Sequence, residues 1–369
     1  MKNFVIKTLV LEDIESELGK IGFDNAYRVK ASDKYRYKTL KIFDLTIPQA
    51  NILKQTALSF GADCGVHRDV LVNRVEKTDV ILGGSFSQLK KICEKLKQQP
   101  FSLKILSEQI EKQLLPDKRE TKLVGIINLT PDSFSNDGIL DSNQAISRLY
   151  QLIEDGADMI DIGPESTRPG AIPVSTEEQI ERLKIVSGEF SKIGIPISID
   201  TRDAQVADFA LGNGALYIND VSGMEYDSNM VKVISRYNAG VIIQHSTGAA
   251  DNIVAYTDVV EDVYKYLFEK VAFAESLGVN KIILDVGIGF GKDRQDNLIL
   301  LDRIQEFYSL GFPIMTGISR KSFLGVKGDD NSLKDSLTLA LNYNQIKKNV
   351  DFIRVHNVKL HKQLLDLAR

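Results

Sequence analysis

The chain has 369 residues, 43% of them hydrophobic, enough to bury one large core or two smaller ones. Its formal net charge of −4 argues against nucleic acid as a partner, although local cations could hold a small anion. Two cysteines, Cys64 and Cys93, are too few for a disulfide framework and lack metal-ligand spacing, the N-terminus has no cleavable leader, and no run of about 18 apolar residues exists, so a soluble cytoplasmic protein with no membrane contact is expected.

Residues 1–118 read as a small α+β domain whose role the sequence does not state. Strand-like runs span Phe4 to Leu9, Thr39 to Leu45 and Val80 to Leu82, and helix-like ones span 51–60, 86–98 and 105–114. His67 and Cys64 share the segment Ala62 to Asp69; one of each closes no metal site, and a surface loop is expected there. The polar, breaker-rich run Pro116 to Lys122 then gives way abruptly to Leu123-Val124-Gly125-Ile126-Ile127. This places a boundary near 117–122 and a second domain over 119–369.

Beyond that boundary one unit recurs: a short β-branched run, a polar loop, an amphipathic stretch and a glycine. The runs are 123–129, 159–163, 196–200, 216–221, 240–245, 281–286, 313–318 and 352–356. The stretches between them have helical spacing; Ile146, Leu149, Tyr150 and Ile153 form one apolar face. Gly156, Gly194, Gly214, Gly240, Gly278 and Gly311, with Asn349 before the eighth run, are the expected left-handed helix stops. Eight strands in a segment of this length predict a (β/α)₈ TIM barrel, a fold of typically about 250 residues, with a doubly wound open sheet as the alternative.

In such a barrel the active site lies at the C-terminal ends of the strands. Polar groups recur there: Asn128 after the first run, Asp161 to Gly170 around the second, Asp200-Thr201, Asn219-Asp220, His245, Asp285, Ser319-Arg320-Lys321, and Arg354 with His356. Arg168, Lys321, Arg354 and His356 suit a phosphate or diphosphate, and the last three end the seventh and eighth strands, a frequent phosphate region. Asp200, Asn219 and Asp285 suit a flat heterocycle, because a carboxylate accepts two hydrogen bonds from an amidine-like edge. Gly287 to Lys292 lacks the spacer of a Walker loop and has Asp293 where Ser or Thr is needed, so it reads as a glycine-rich turn. Four histidines without a helical pair argue against a zinc hydrolase, and no G-x-S-x-G nucleophile elbow occurs.

From residue 123 onward the chain resembles the dihydropteroate synthase family of pterin-binding barrels. The motifs that carry the resemblance are Gly125 to Ser135, Glu165 to Ala171, Ser198 to Thr201, Ile218 to Asp220, Gly289 to Lys292, Gly317 to Ser322 and Arg354 to His356. Residues 1–115 lie outside it. The resemblance implies condensation of 6-hydroxymethyl-7,8-dihydropterin diphosphate with p-aminobenzoate in folate biosynthesis, with sulfonamide sensitivity. It implies Asn128 as the ligand of Mg²⁺ together with substrate oxygens. Asp200, Asn219, Asp285, Lys321, Phe290 and Arg354 would take the pterin, and Asn128, Arg168, Arg354 and His356 the diphosphate. Phe134, Thr167, Arg168, Pro169 and Ser319 would shape the p-aminobenzoate pocket, under loops 131–141 and 163–175. Catalysis would rest on Arg354, His356, Lys321 and Arg168, and the family implies a homodimer through the barrel. Pro164, Gln244, Val286, Ile288 and Asn357 depart from the family pattern, which bears on affinity more than on the reaction. A folate-dependent corrinoid methyltransferase and a non-catalytic pterin-binding paralogue are the alternatives. The Ser166 to Gly170 loop argues against the first, and the complete residue set against the second.

Overall fold

The structure is a computed structural model that describes residues 6–9, 13–115, 119–130, 141–165, 173–247, 252–326, 328 and 330–368. The chain divides into two compact units, Met1–Asp117 and Lys118–Arg369.

The first unit is a three-stranded antiparallel sheet with helices. Strand β1 (Tyr37–Thr46) and strand β2 (Asp63–Val66) flank strand β3 (Lys77–Ser85) in the order β1-β3-β2. Leu45, Cys64, Val80 and Leu82 of the sheet join Leu53, Ala57, Leu89, Ile92 and Leu96 of helices Ile47–Ser59 and Phe86–Leu96 in one buried cluster. The second of these helices starts where Ser85 and Gln88 satisfy each other's backbone N–H groups in a capping box.

Two expectations for this unit need correction, and one pair of elements had no sequence expectation. Asp63–Val66 is not a surface loop but β2, with Cys64 buried between exposed Asp63 and Gly65; four residues are too few for the alternation to register in sequence. Of the expected strand Phe4 to Leu9, residues 6–9 are not in a strand, and 4–5 lie outside the described residues. Two short helices, Ile14–Lys20 and Asn25–Ser32, were not expected; each is capped by an aspartate, Asp13 and Asp24. His67 accepts a hydrogen bond from the Asp69 N–H at 3.2 Å and thereby caps a turn.

The second unit is a closed barrel of eight parallel strands: β4 (Lys122–Asn128), β5 (Met159–Gly163), β6 (Ile197–Asp200), β7 (Tyr217–Asp220), β8 (Gly240–Gln244), β9 (Lys281–Asp285), β10 (Ile314–Thr316) and β11 (Phe352–Val355). They pair in sequence order, and β11 returns to β4. All eight coincide with the predicted runs. Side chains facing outward pack with the helices into the main core, which includes Leu123, Ile127, Ile160, Ile162, Ile199, Ile218 and Leu284.

The interior is layered, and this layering places the site. Val124, Met159, Ile242, Ile283 and Met315 form a separate apolar plug. Residues i and i+2 of a strand share a face, so the next inward positions above Met159 and Ile283 are Asp161 and Asp285. Inter-strand register sets Asp200 beside Asn219, and Gln244 beside Asp285. The apolar plug closes the lower barrel, and a polar layer lies directly above it.

The helix stops hold at Gly156, Gly214, Gly278, Gly311 and Asn349, all with positive φ, but not at Gly194 or Gly240. Before β8, Asn238 (φ 50°) takes the left-handed position, and Gly240 lies within the strand. Glycine is needed at 240 for a different reason: a Cβ there would lie 2.2 Å from the Tyr217 ring.

Candidate active site

The polar layer is organised around Arg354 of β11. Its Nη2 lies 2.6 Å from Asp161 Oδ2 and 2.7 Å from Asp200 Oδ2, so one nitrogen bridges carboxylates from β5 and β6. Asn219 donates to Asp161 Oδ2 at 3.1 Å. Asp161, Asp200 and Asn219 are all buried. Burial pushes the Asp200 carboxyl up, Arg354 pulls it back, and Asp161 beside it pushes it up again. Burial also works against the Arg354 charge, but Asp161, Asp200 and Asp285 together outweigh it and hold the guanidinium above its ordinary value. Among the described residues, Asp161 Oδ1, Asp200 Oδ1, Asn219 Oδ1 and Arg354 Nε are buried with no hydrogen-bond partner. Such atoms are costly unless something pairs with them. The cluster therefore presents three acceptors and one donor to a polar ligand.

Asp285 of β9 and Lys321, beyond β10, form the neighbouring wall. A Cβ placed on Gly317 would lie 3.8 Å from Asp285 Oδ2 and 3.9 Å from Lys321 Nζ, so both groups flank one small space that glycine keeps open. Lys321 donates to the Ile288 carbonyl, and its ammonium sits 4.4 Å from the centre of the Phe290 ring. Burial lowers the Lys321 pKa to about 8 against the pull of Asp285. Burial raises Asp285, with Lys321 and the Gly287 N–H opposing; the latter donates to Asp285 Oδ1 at 2.8 Å.

At the rim Ser319 and His356 meet. Ser319 Oγ lies 2.8 Å from His356 Nδ1 and accepts from the His356 backbone N–H at 3.3 Å. The His356 carbonyl accepts from Arg148 at 2.8 Å. Asn128, at the end of β4, faces Gly163: a Cβ on that glycine would lie 3.4 Å from Asn128 Oδ1 and 3.8 Å from Asp200 Cβ. Phe134, Thr167, Arg168 and Pro169 lie outside the described residues, as do most of loops 131–141 and 163–175.

Thus Asp200 and Asn219 are gathered with Arg354, Asp285 and Phe290 with Lys321, and Ser319 with His356. Two residues with no assigned role prove central. Asp161 was legible as an acid inside the apolar run Met159-Ile160-Asp161-Ile162, where a buried charge demands a partner. Lys292, read only as part of a turn, is buried, and its Nζ contacts His245 Nδ1 at 2.8 Å and the Gly287 and Phe290 carbonyls at 2.9 and 3.0 Å.

A parallel β/α barrel whose upper interior is a buried, partly unpaired ionic cluster defines a small-molecule-binding barrel with its site at the C-terminal rim. Residues 124–356 match the family described as pterin binding enzyme, and the chain belongs to that family, with an additional N-terminal unit. A dihydropteroate synthase from Clostridium difficile, crystallised in the presence of pteroic acid, is 38% identical with a TM-score of 0.62, covering 68% of this chain and 96% of that one. The bifunctional dihydropteroate synthase/dihydropteroate reductase of Helicobacter pylori is 30% identical over 99% of this chain and 98% of its own length. The probable bifunctional folylpolyglutamate synthase/dihydropteroate synthase of Halobacterium salinarum is 37% identical over 84% of this chain. The matched region spans only 40% of that longer relative.

Proposed function

We propose that the chain condenses 6-hydroxymethyl-7,8-dihydropterin diphosphate with p-aminobenzoate, giving 7,8-dihydropteroate and diphosphate. The observation that carries this reading is the Asp161–Arg354–Asp200–Asn219 cluster, with its unpaired acceptors beside Asp285, Lys321 and Phe290. A dihydropterin offers a flat ring with an amidine edge of donors and a carbonyl; Asp200, Asp285 and Asn219 Oδ1 suit the donors, Lys321 and Arg354 Nε the acceptors. Phe290 supplies an aromatic surface.

The reaction breaks the bond between the exocyclic methylene carbon and the diphosphate oxygen, and joins that carbon to the aniline nitrogen, which loses a proton. Positive charge on the carbon spreads into the conjugated ring, so the leaving group can depart ahead of attack by a weak nucleophile. Arg354 and His356 oppose the negative charge growing on diphosphate; one preorganised donor of this kind is typically worth about 2.7–4 kcal/mol. Asn128 fits a magnesium site, because a single amide carbonyl at a rim beside Gly163 suits an ion that takes most of its oxygens from substrate and water. When bound, the ion would neutralise diphosphate charge. Ser319, held by His356, is placed to shape the p-aminobenzoate side.

Purified protein with Mg²⁺ and both substrates should form dihydropteroate and release diphosphate in equal amounts. Absence of diphosphate release would refute the reading. Binding of p-aminobenzoate separates it from a corrinoid methyltransferase, and turnover separates it from a non-catalytic pterin binder. A cytoplasmic setting is supported by Cys64 and Cys93, both buried thiols with no disulfide between them. A homodimer through the barrel is supported by the exposed stripe Leu333, Leu337, Ala340 and Tyr343 along helix Asn331–Lys347.

The full-length match to the Helicobacter protein supports a second activity, reduction of dihydropteroate to tetrahydropteroate; that step needs a two-electron donor, and the nicotinamide and flavin classes are the ones to assay. Incubating the protein with dihydropteroate and each donor, and measuring tetrahydropteroate, decides this. No product with any donor would overturn it.

A further inference from the structure

The turn from Gly287 to Gly291 wraps around the ammonium of Lys292. All three N–H bonds of that ammonium have an acceptor: His245 Nδ1 at 2.8 Å, the Gly287 carbonyl at 2.9 Å and the Phe290 carbonyl at 3.0 Å. None of these three acceptors is a carboxylate. The backbone follows the charge. Gly287, Gly289 and Gly291 all have positive φ, and a Cβ on Gly287 would lie 1.8 Å from the His245 carbonyl. Asn297 fastens the same turn by accepting from the Gly289 N–H and donating to the Lys292 and Asp293 carbonyls. The turn in turn carries the Phe290 ring under Lys321 and the Ile288 carbonyl that receives the Lys321 ammonium.

Resting on the reading above, we propose that Lys292 is a positioning residue for the pterin half of the site. Its ammonium sets the 287–291 turn, and through Ile288 and Phe290 it sets Lys321; its charge also favours the ionised form of Asp285. Asp285 is faced by Lys321, Arg354, Lys292 and the Gly287 N–H, and Lys292 by Asp285, Asp296, Lys321 and His245; burial lowers the Lys292 pKa to about 7, so its charge acts below that pH and is lost as pH rises through it. These hydrogen bonds of Lys292 and Asn297 do not involve Ser319, so the p-aminobenzoate side should respond less than the pterin side.

The test uses full-length Lys292→Met, which removes charge and donors, and Lys292→Gln, which removes the charge but keeps two N–H donors. KM for the pterin diphosphate should rise on the order of tenfold or more in Met and less in Gln, with a smaller change in KM for p-aminobenzoate. In both variants the acid limb of kcat/KM for the pterin should move to higher pH, because Asp285 loses a favourable charge. An unchanged pterin KM in either folded variant would overturn the proposal. So would an equal rise in both KM values, which marks a general collapse. Gln keeps the test decisive if Met does not fold. Wild-type turnover in the same assay keeps this outcome distinct from failure of the synthase reading.

Discussion

Arg354 touches two buried carboxylates through one nitrogen, and this decides what its removal does. Truncation strands Asp161 and Asp200 without a countercharge and, on the proposed mechanism, also takes a donor from the leaving group. Breaking one partner out of a buried ion cluster typically costs about 3–5 kcal/mol. Arg354→Ala should therefore lose turnover by on the order of 100-fold or more and also unfold at markedly lower denaturant. A variant as stable as wild type would show that the cluster is not electrostatically closed by Arg354. Lys321 gives a second prediction. Its ammonium is the donor form, and burial has lowered its pKa to about 8. The donor is present below that pH and lost as pH rises through it, so kcat/KM should fall above about 8. Asp200 and Asp285 are shifted upward, so the acid limb should lie above the ordinary carboxylate range. Lys321→Arg should remove the fall centred near pH 8, because a guanidinium does not titrate there, leaving only the loss of the Lys292 charge near pH 7. A limb that persists at the same pH would assign it to another group.

At the scale of elements, Arg320 shows how a helix can support a loop. Arg320 lies between Ser319 and Lys321, in a left-handed conformation (φ 59°) that costs energy for a non-glycine residue. Its guanidinium makes two bonds to Asp335 of helix Asn331–Lys347, at 2.7 and 2.9 Å. Asp335→Ala should lower stability by on the order of 3 kcal/mol. It should also raise KM for both substrates, since both flanking residues lose their anchor. Unchanged kinetics in a destabilised variant would confine the pair to a structural role. The barrel strands were legible because a buried parallel strand is a short apolar run between turn residues, a signal that needs no tertiary information. What escaped notice depended on partners distant in sequence. Asp161 pairs with a residue 193 positions later, and Lys292 with His245 at the end of another strand. Asn238, not Gly240, ends the helix before β8, because Gly240 is reserved for the packing of Tyr217. Thr167 and Arg168 rest on motif resemblance alone.

For the whole molecule the decisive point is that the two units have separate cores. Among the described residues, the buried cluster of the first unit runs from Leu45 to Leu114, with Leu40 and Ile42 packed against it, and the barrel clusters begin at Leu123. Every described residue of the candidate site belongs to the second unit. A solved relative in which the matched region fills 96% of its chain supports a barrel that can stand without such an extension. Deleting residues 1–117 should therefore leave condensation of the two substrates within a few-fold of wild type. The proposed reduction would respond differently to the same deletion. The full-length match to the bifunctional Helicobacter protein includes the first unit, whereas the Clostridium synthase aligns with about two-thirds of this chain. If the first unit contributes to reduction, the truncated barrel should accumulate dihydropteroate under conditions in which the intact chain carries it on to tetrahydropteroate. Measuring both products from one reaction with each donor tests this directly. Equal reduction by the truncated and intact chains would assign that chemistry to the barrel.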